Sequence, residues 1–327
     1  MSAADEELVT VMIPARNEEH FIEEALGSVA AQTYRNLDIV VVDGDSDDET
    51  VRVVNDFAAR DPRVRCVQNP ARITPSALNV GLREARGKWL VRVDAHSTVS
   101  DNYVARAVEH LRTGKYGGVG GRLHCVGLTS AGRAIAAALE SKVVVGNSTF
   151  HYATDAHVVV HVPFPAYPVA LARELGGWNE ELPVNQDFEF DWRITEAGHP
   201  ILVEPAMHIY WICRQSVGAL WKQYLRYGRG KARVAALHPR SLSLRHLALP
   251  LLVAYLAAAV VLAVFRPVWA ALAVAPYLLA VAGASVLTAR QLQRGDRKYL
   301  PAILLAMHIA WGLGFWRGLV DVVKPGR

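Results

Sequence analysis

Short apolar runs alternate with longer segments of helical spacing over the first part of the chain. The short runs are rich in β-branched residues, whereas apolar residues in the longer segments recur every three or four positions. The predicted strands cover residues 9–13, 37–42, 64–68 and 89–93, and the predicted helices cover 18–32, 49–60 and 75–85. This alternation predicts a parallel sheet with right-handed crossovers, an α/β architecture of the nucleotide-binding type.

The pattern between residues 103 and 218 is mixed. Its periodicity predicts helices at 103–113, 130–143 and 188–196, a strand that runs through His124, and a strand at 157–162. No internal repeat or low-complexity linker interrupts the sequence here. We therefore expect this part to continue the α/β domain.

Three apolar segments dominate the C-terminal part of the chain. They cover residues 247–265, 268–288 and 300–320, each near the length of about 20 residues that a helix needs to cross a bilayer. The first two contain no charge, but the third contains His308, Trp311, Trp316 and Arg317, so it is either a span or an interfacial helix. The sequence thus predicts an α/β domain at 1–235, with an interfacial helix region from about residue 216, and a membrane domain at 236–327.

Basic residues precede the first apolar segment and fill the connection between the second and the third. They are Arg240, Arg245, Arg290, Arg294, Arg297 and Lys298. The positive-inside rule assigns both basic segments to the cytoplasm. We therefore expect a multi-pass protein of the cytoplasmic membrane whose α/β domain faces the cytoplasm. The acidic, polar N-terminus predicts no cleavable signal peptide.

Composition narrows the class of partner. The net charge of +4 at pH 7 is compatible with an anionic membrane surface or a phosphorylated substrate, and it is too small to indicate nucleic-acid binding. The three cysteines, Cys66, Cys125 and Cys213, are scattered without C-x-x-C spacing. They predict reduced thiols rather than a disulfide framework or a zinc site.

Charged side chains follow three of the predicted strands. They are Arg16 and Glu18, then Asp43 and Asp45, then Asp94 and His96. Ligands of open α/β sheets bind at the carboxyl ends of the strands, so we expect these side chains to share one rim. A carboxylate and an imidazole two positions apart can bind one Mg²⁺ or Mn²⁺ and leave positions for phosphate oxygens. These residues predict a binding site for a nucleotide and a divalent metal. The alternative is that Asp94 serves only to cap a turn.

Four ordered motifs resemble those of family 2 glycosyltransferases. They are VMIPARNEEHFIEEALGSVAAQTY, DIVVVDGDSDDET, NVGLREARGKWLVRVDAHS and NQDFEFDWRITEAGH. The resemblance covers roughly residues 8–235 and is strongest to membrane-attached bacterial members of the succinoglycan-biosynthesis glucosyltransferase type. It implies a GT-A (Rossmann-like) nucleotide-sugar-binding domain followed by C-terminal transmembrane helices. It also implies a nucleotide-sugar donor and a lipid-linked, polyprenyl-type acceptor.

The resemblance also implies roles for residues on the donor side. Either Asp43 or Asp45 would contact the uracil of a UDP-sugar, and Asp94 and His96 would replace the usual D-x-D metal motif. The other positions that match donor-binding residues of the family are Pro14, Ala15, Arg16, Glu18, Arg72 and Asn79. His208 matches a further metal ligand of some members, and the alternative is a strand histidine satisfied by protein partners.

The acceptor side is implied by Asn185-Gln186-Asp187, which matches the family's Q-D motif. Transfer with inversion requires a carboxylate that removes the acceptor proton, and Asp187 is the candidate, although it could also be a helix cap. Gln186 would lie beside the bound nucleotide sugar, whereas Glu189 and Asp191 are expected to be solvated or structural. Arg226, in a Q-x-x-R-Y segment, would contact the donor diphosphate or a lipid phosphate.

The sequence therefore predicts an inverting glycosyltransferase that adds single sugars, since three spans are too few for a long translocation channel. It would act in cell-surface polysaccharide or glycolipid synthesis, with contacts to membrane lipids and none to nucleic acid. Two alternatives stay open. One is a polyprenyl-phosphate sugar synthase, whose anionic acceptor needs no base, and the other is a non-catalytic nucleotide-sugar-binding membrane scaffold.

Overall fold

The computed structural model describes residues 7–323 and divides into two compact units. The first unit contains the described residues up to His124 together with Thr149–Trp211. The second contains Cys125–Ser148 and the described chain from Ile212 onwards. This division differs from the predicted boundary at residue 235, because two segments that precede residue 235 group with the apolar helices.

The elements begin and end as follows. The strands are β1 (Val9–Ala15), β2 (Leu37–Asp43), β3 (Val64–Gln68), β4 (Trp89–Arg92), β5 (Ser97–Val99), β6 (Gly118–Val126), β7 (His157–Val159), β8 (Ala166–Pro168) and β9 (Ile201–Ile212). The helices are α1 (Ile22–Ala30), α2 (Thr50–Ala58), α3 (Thr74–Glu84), α4 (Tyr103–Arg112), α5 (Ser130–Glu140), α6 (Lys142–Val145), α7 (Val169–Glu174), α8 (Gln186–Glu196), α9 (Val217–Leu237), α10 (Leu244–Phe265), α11 (Pro267–Ala289) and α12 (Leu300–Val323).

The strands form one mixed sheet in the order β3-β2-β1-β4-β8-β6-β9-β5, with β7 paired to β9. The four strands predicted at the start of the chain are parallel, as expected. The pairs β4–β8, β6–β8, β5–β9 and β7–β9 are antiparallel, so the complete sheet is mixed rather than parallel. Ala15 pairs with Asp43, which brings the carboxyl ends of β1 and β2 to the same edge.

Both faces of the sheet are covered by apolar side chains. On β1, Val11 and Ile13 belong to the same core cluster as Leu26 of α1, whereas Met12 belongs to the cluster of Phe190 of α8. This alternation follows from the two-residue period of a strand, which sends successive side chains to opposite faces. The rigid sheet fixes the loops at its carboxyl edge.

Several predicted elements are shorter in the structure, and hydrogen bonds account for two of them. The helix predicted from residue 18 begins at Ile22, because the backbone N–H groups of Glu18 and Glu19 donate to Thr50 and Asp48. The strand predicted at 157–162 ends at Val159. Further on, the Val162 N–H donates to the Asp191 carboxylate at 3.4 Å rather than to a neighbouring strand.

In the second unit, α9 packs against α12 through glycines. A Cβ on Gly228 or Gly314 would overlap a backbone carbonyl oxygen of the facing helix, and one on Gly318 would lie 2.5 Å from the carbonyl oxygen of Arg229. Such small residues let helix backbones approach closely. The side chains of Arg229 and Asp321 also form an ion pair across this contact.

The segment Cys125–Ser148 belongs to the second unit through polar contacts. Arg133 on α5 binds both carboxylate oxygens of Asp296. Its Nε donates to Oδ2 at 2.8 Å, and one of its terminal nitrogens donates to Oδ1 at 3.1 Å. The Thr288 hydroxyl donates to the Ser141 hydroxyl at 3.2 Å. These contacts and the glycine contacts of α9 explain why the boundary lies elsewhere than predicted.

Three helices are long and apolar enough to cross a membrane, namely Leu244–Phe265, Pro267–Ala289 and Arg297–Val323. They correspond to the three predicted apolar segments. The third is half buried within its own unit, whereas the first two are mostly exposed. Contact with α9 accounts for this difference, since Gly314 and Gly318 of the third helix face α9.

The glycine contact yields a stability prediction. We expect Gly228→Ala to lower the free energy of unfolding by about 1–3 kcal/mol, because the added methyl group must displace the backbone of Trp311. Gly283→Ala on α11 is the matched control, since no described heavy atom beyond its chain neighbours and the backbone of its own helix lies within 4 Å of its Cβ position. Thermal unfolding of both variants in detergent measures the effect. Equal melting temperatures would contradict the close approach of α9 and α12.

Candidate active site

The loops after β1 and β2 are bound to one another by hydrogen bonds. The backbone N–H of Asn17 donates to the Ser46 hydroxyl at 3.0 Å, and the N–H of Asp47 donates to the Asn17 amide oxygen at 3.1 Å. Burial alone would raise the pKa of Asp48, but hydrogen bonds from Thr50 and from the Glu19 N–H lower it overall. Hydrogen-bond donors of the protein therefore stabilise part of the negative charge at this edge.

Strained backbone is concentrated around the same edge. Within residues 7–323, the non-glycine residues with positive φ are Asn17, Asp45, Arg72, Phe164 and Asn185, with φ between 49° and 64°. The first three follow β1, β2 and β3, and Asn185 precedes α8. Left-handed conformations of non-glycine residues cost free energy and cluster at functional sites. The strain therefore marks this edge as a candidate site.

The two aspartates predicted to bind the base have different surroundings. Asp43 is buried, and its carboxylate accepts hydrogen bonds from the Ser46 hydroxyl at 2.6 Å and from the Ser46 N–H at 3.2 Å. Asp45 is half exposed and forms an ion pair with Arg72. Arg16 lies next to this pair, since its guanidinium donates to the Arg72 carbonyl oxygen at 3.4 Å. The structure thus brings Arg16, Asp45 and Arg72 together.

Asn69 is a rim residue that sequence reasoning missed. It follows β3, its N–H donates to the Asp43 carbonyl oxygen at 2.7 Å, and it is 1% exposed. Its side-chain oxygen has no hydrogen-bond partner in the described part of the chain. Buried acceptors are normally satisfied, so this atom is suited to a ligand N–H group. Its position after a third strand of the same edge was the available signal.

Asn79, predicted on the donor side, has protein partners on both ends of its amide. Its nitrogen donates to the Trp178 carbonyl oxygen at 2.8 Å and to Glu180 at 2.9 Å, and its oxygen accepts from the Trp178 N–H at 2.8 Å. These bonds tie α3 to the loop after α7. The structure gives Asn79 a structural role, and its contact with a nucleotide stays a prediction.

A buried arginine holds the predicted metal-binding carboxylate. Arg92, at the end of β4, is 6% exposed and donates to both oxygens of Asp94 at 2.8 and 3.1 Å. Burial by itself would lower the pKa of Arg92, but the charge and hydrogen bonds of Asp94 raise it overall, with a further contribution from Asp187. Arg92 was not predicted, although a charge inside an apolar strand pattern was a signal.

The predicted metal ligands have separate partners. Nδ1 of His96 lies 2.9 Å from the Glu18 carboxylate, whereas Nδ1 of His208 lies 3.0 Å from Nε2 of His124. Burial lowers the pKa of His124, and the charge of Arg122 acts in the same direction. His208 thus has His124 as a protein partner, and its role as a metal ligand stays a prediction.

Within residues 7–323, no three His, Cys, Asp or Glu side chains form a group that could hold a metal ion. The carboxylate of Asp94 and the imidazole of His96 are nevertheless ligands that suit a divalent ion. Arg92 uses one position on each Asp94 oxygen, and a carboxylate has about four acceptor sites. Glu18 orients the His96 ring as carboxylates orient metal-bound imidazoles. Oxygen atoms of the substrate would supply the remaining ligands of the metal ion.

Asp187 lies in the first turn of α8, after Asn185 at the N-cap. It is therefore not the cap itself, and one of its oxygens accepts from the Phe188 N–H at 2.8 Å. The helix N-terminus favours a negative charge at this position. Gln186 is buried at the start of the same helix. Arg226 is exposed on α9, which belongs to the second unit, and its contact with a phosphate stays a prediction.

Asp191, four residues after Asp187, is fully buried, so it is structural and not solvated. It accepts hydrogen bonds from His161 Nδ1 at 2.7 Å and from the Tyr167 hydroxyl at 2.6 Å. Burial alone would lower the pKa of His161, but the hydrogen bond and charge of Asp191 raise it overall, aided by Asp187. Sequence reasoning missed this contact, and no local pattern connects the two residues.

The mixed sheet, with a charged rim at the carboxyl ends of its parallel strands, has the architecture of the GT-A fold. Comparison with solved structures agrees. A mannosyltransferase of Pyrobaculum calidifontis in complex with GDP-Man and Mn²⁺ matches with a TM-score of 0.58 and 22% identity, over 94% of this chain and 88% of that one. GalNAc-T7 with UDP, GalNAc and Mn²⁺ matches with a TM-score of 0.54 and 17% identity, over 73% and 52% of the two chains. At these identities the likeness supports the fold.

The sequence comparisons identify the family. Residues 10–141 match Glycosyl transferase family 2, and residues 89–287 match Glycosyl transferase family group 2. The succinoglycan biosynthesis protein ExoA of Rhizobium meliloti (strain 1021) is 32% identical over 316 residues, which cover 95% of this chain and 94% of that protein. A poly-beta-1,6-N-acetyl-D-glucosamine synthase of Staphylococcus epidermidis is 20% identical over 68% of this chain and 54% of its own length. The chain belongs to glycosyl transferase family 2, which confirms the predicted enzyme class.

Proposed function

We propose that this glycosyltransferase moves one sugar from a UDP-sugar to a lipid-linked saccharide, with inversion, during synthesis of a cell-surface polysaccharide or glycolipid. The similarity to a succinoglycan biosynthesis protein over nearly the whole chain supports the polysaccharide context. The three apolar helices support an acceptor that is presented at a membrane. The proposed orientation has the first unit in the cytoplasm, as the basic connections predict.

One observation carries the proposal. Arg92 binds the Asp94 carboxylate directly, and the charge of Asp187 also acts on it. The proposed base therefore lies within electrostatic range of the buried cation that binds the proposed donor-side carboxylate. Inverting transfer needs these two functions close together, because the base must remove the acceptor proton while the nucleotide departs.

In the proposed mechanism, Asp187 accepts the proton of the acceptor hydroxyl, and Arg92 orients the Asp94 carboxylate through two hydrogen bonds. Asp94 and His96 would hold Mn²⁺ or Mg²⁺, and the bound ion would stabilise negative charge on a departing diphosphate. Glu18 fixes the His96 ring through the 2.9 Å contact with Nδ1. The Mn²⁺ complexes of the two solved structures support a divalent ion.

The loops after β1, β2 and β3 are proposed to bind the nucleoside diphosphate. The unsatisfied Asn69 oxygen and the neighbouring Asp43 are acceptors for an imide or amide N–H of the base. Pro14 and Ala15 end β1 beside Asp43 and would line the same pocket, and Arg72 would approach the diphosphate.

The direct test is a transfer assay with the full-length protein in detergent. UDP-sugars and GDP-sugars are supplied with Mn²⁺ and with extracted membrane lipids, and both nucleoside diphosphate release and labelled lipid are measured. We expect lipid-dependent consumption of a UDP-sugar that a chelator abolishes. Transfer only from GDP-sugars would contradict the proposed donor, and absence of transfer from every donor would contradict the proposed function. A product with the sugar on the lipid phosphate itself would identify a polyprenyl-phosphate sugar synthase.

A further inference from the structure

His161 is a polar side chain anchored within aromatic surroundings. Its ring meets Phe150 and Phe188 edge-on, with centroid distances of 6.1 and 5.8 Å. Its Nδ1 lies 2.7 Å from the Asp191 carboxylate. The side chain is 21% exposed, so the anchored ring is in part accessible to solvent.

The anchor itself is rigid. Asp191 is fully buried, and the Tyr167 hydroxyl occupies its second oxygen at 2.6 Å. Tyr167 is packed edge-on against Trp178 and Phe190, with centroid distances of 6.0 and 5.2 Å. A carboxylate held in this way sets the orientation of the imidazole that it binds.

The second ring nitrogen of His161, Nε2, is not engaged by the described part of the chain. Within residues 7–323, no group hydrogen-bonds to Nε2 of His161, whereas Nδ1 is bound to Asp191. Its ring packs against that of Phe188, the residue after Asp187, so His161 lies near the proposed base. An anchored ring with an unused polar atom at this place is suited to bind a ligand.

We propose that His161 is a substrate-binding residue, whose Nε2 hydrogen-bonds to a carbohydrate hydroxyl group and so orients the sugar beside Asp187. The inference rests on the proposed function and identifies a carbohydrate contact in the same site. A hydroxyl group can donate and accept, so it can pair with either protonation state of the ring. Phe150 and Phe188 restrict the ring to one orientation, which reduces the entropy that binding would cost.

Two substitutions separate this role from a structural one. The amide nitrogen of asparagine lies two bonds from Cβ, the same separation as Nδ1 of histidine. His161→Asn therefore keeps the bond to Asp191 and lacks an equivalent of Nε2. Glutamine places its amide three bonds from Cβ, as Nε2 is, so His161→Gln keeps the outward polar group and weakens the anchor. Because the bond to Asp191 is kept, we expect the asparagine variant to fold, and its melting temperature checks this. His199→Asn, at an exposed histidine after α8, is the control.

We expect kcat/KM for transfer to fall by about 10- to 100-fold in His161→Asn, with a smaller loss in His161→Gln and none in His199→Asn. Donor affinity by calorimetry separates the two sources of the hydroxyl. Weaker donor binding assigns it to the donor sugar, and a raised acceptor KM with normal donor binding assigns it to the acceptor. Wild-type transfer by His161→Asn would overturn the inference alone, whereas a wild-type protein that transfers no sugar would overturn the proposed function.

Discussion

Asp187→Asn is expected to reduce the transfer rate by about 10² to 10⁴-fold at saturating donor, if Asp187 removes the acceptor proton. The amide keeps the size of the side chain and can still accept the hydrogen bond from the Phe188 N–H. It lacks the basic carboxylate, so the acceptor hydroxyl loses its proton less readily in the transition state. The rate of labelled lipid formation measures the effect.

Donor binding provides the control for this variant. Calorimetry with UDP and Mn²⁺ should give the same affinity for wild type and Asp187→Asn, because the proposed nucleotide contacts come from the loops after β1, β2 and β3. A variant that binds donor normally and transfers sugar within a few-fold of wild type would remove Asp187 from the mechanism. That result would favour a lipid-phosphate acceptor, which needs no base.

The second large effect is expected from Asp94→Asn, which should abolish measurable turnover and metal-dependent UDP binding. It should also lower the free energy of unfolding by about 3–5 kcal/mol, because Arg92 is buried and would lose its counter-charge. Turnover, calorimetry with and without Mn²⁺, and thermal unfolding together describe the variant.

The double substitution Asp94→Asn with Arg92→Met separates the two consequences. Removal of the unpaired cation should restore most of the melting temperature, while turnover stays absent. Recovered turnover in the double variant would show that Asp94 serves only to neutralise Arg92. A single variant that is as stable as wild type would contradict the buried ion pair.

The parallel half of the sheet and its charged rim were predictable from sequence, because both depend on local patterns. Strand periodicity located β1 to β4, and polar residues directly after the strands located Asp43 and Asp94. The antiparallel half was not predictable in the same way. The short strand β8 inserts next to β4 only because distant segments pack together.

Contacts across the sequence determined what was missed at the site. Asp191 and His161 are 30 positions apart and meet only after α8 packs on the sheet. Asn79 occupies a position that matches a donor contact, yet its amide is bonded to Trp178 and Glu180. A motif identifies residue types in order, but the partner of each side chain depends on the neighbouring elements.

The assignment of α5 and α9 to the unit of the apolar helices has a practical consequence. A single cut at residue 235 would leave α9 without α12, so the glycine face of α9 and the arginine paired with Asp321 would lose their partners. Arg133 on α5 would lose Asp296 at the same time. A water-soluble fragment made by such a truncation would be prone to aggregation. Preparations for crystallography or kinetics should therefore retain all three apolar helices.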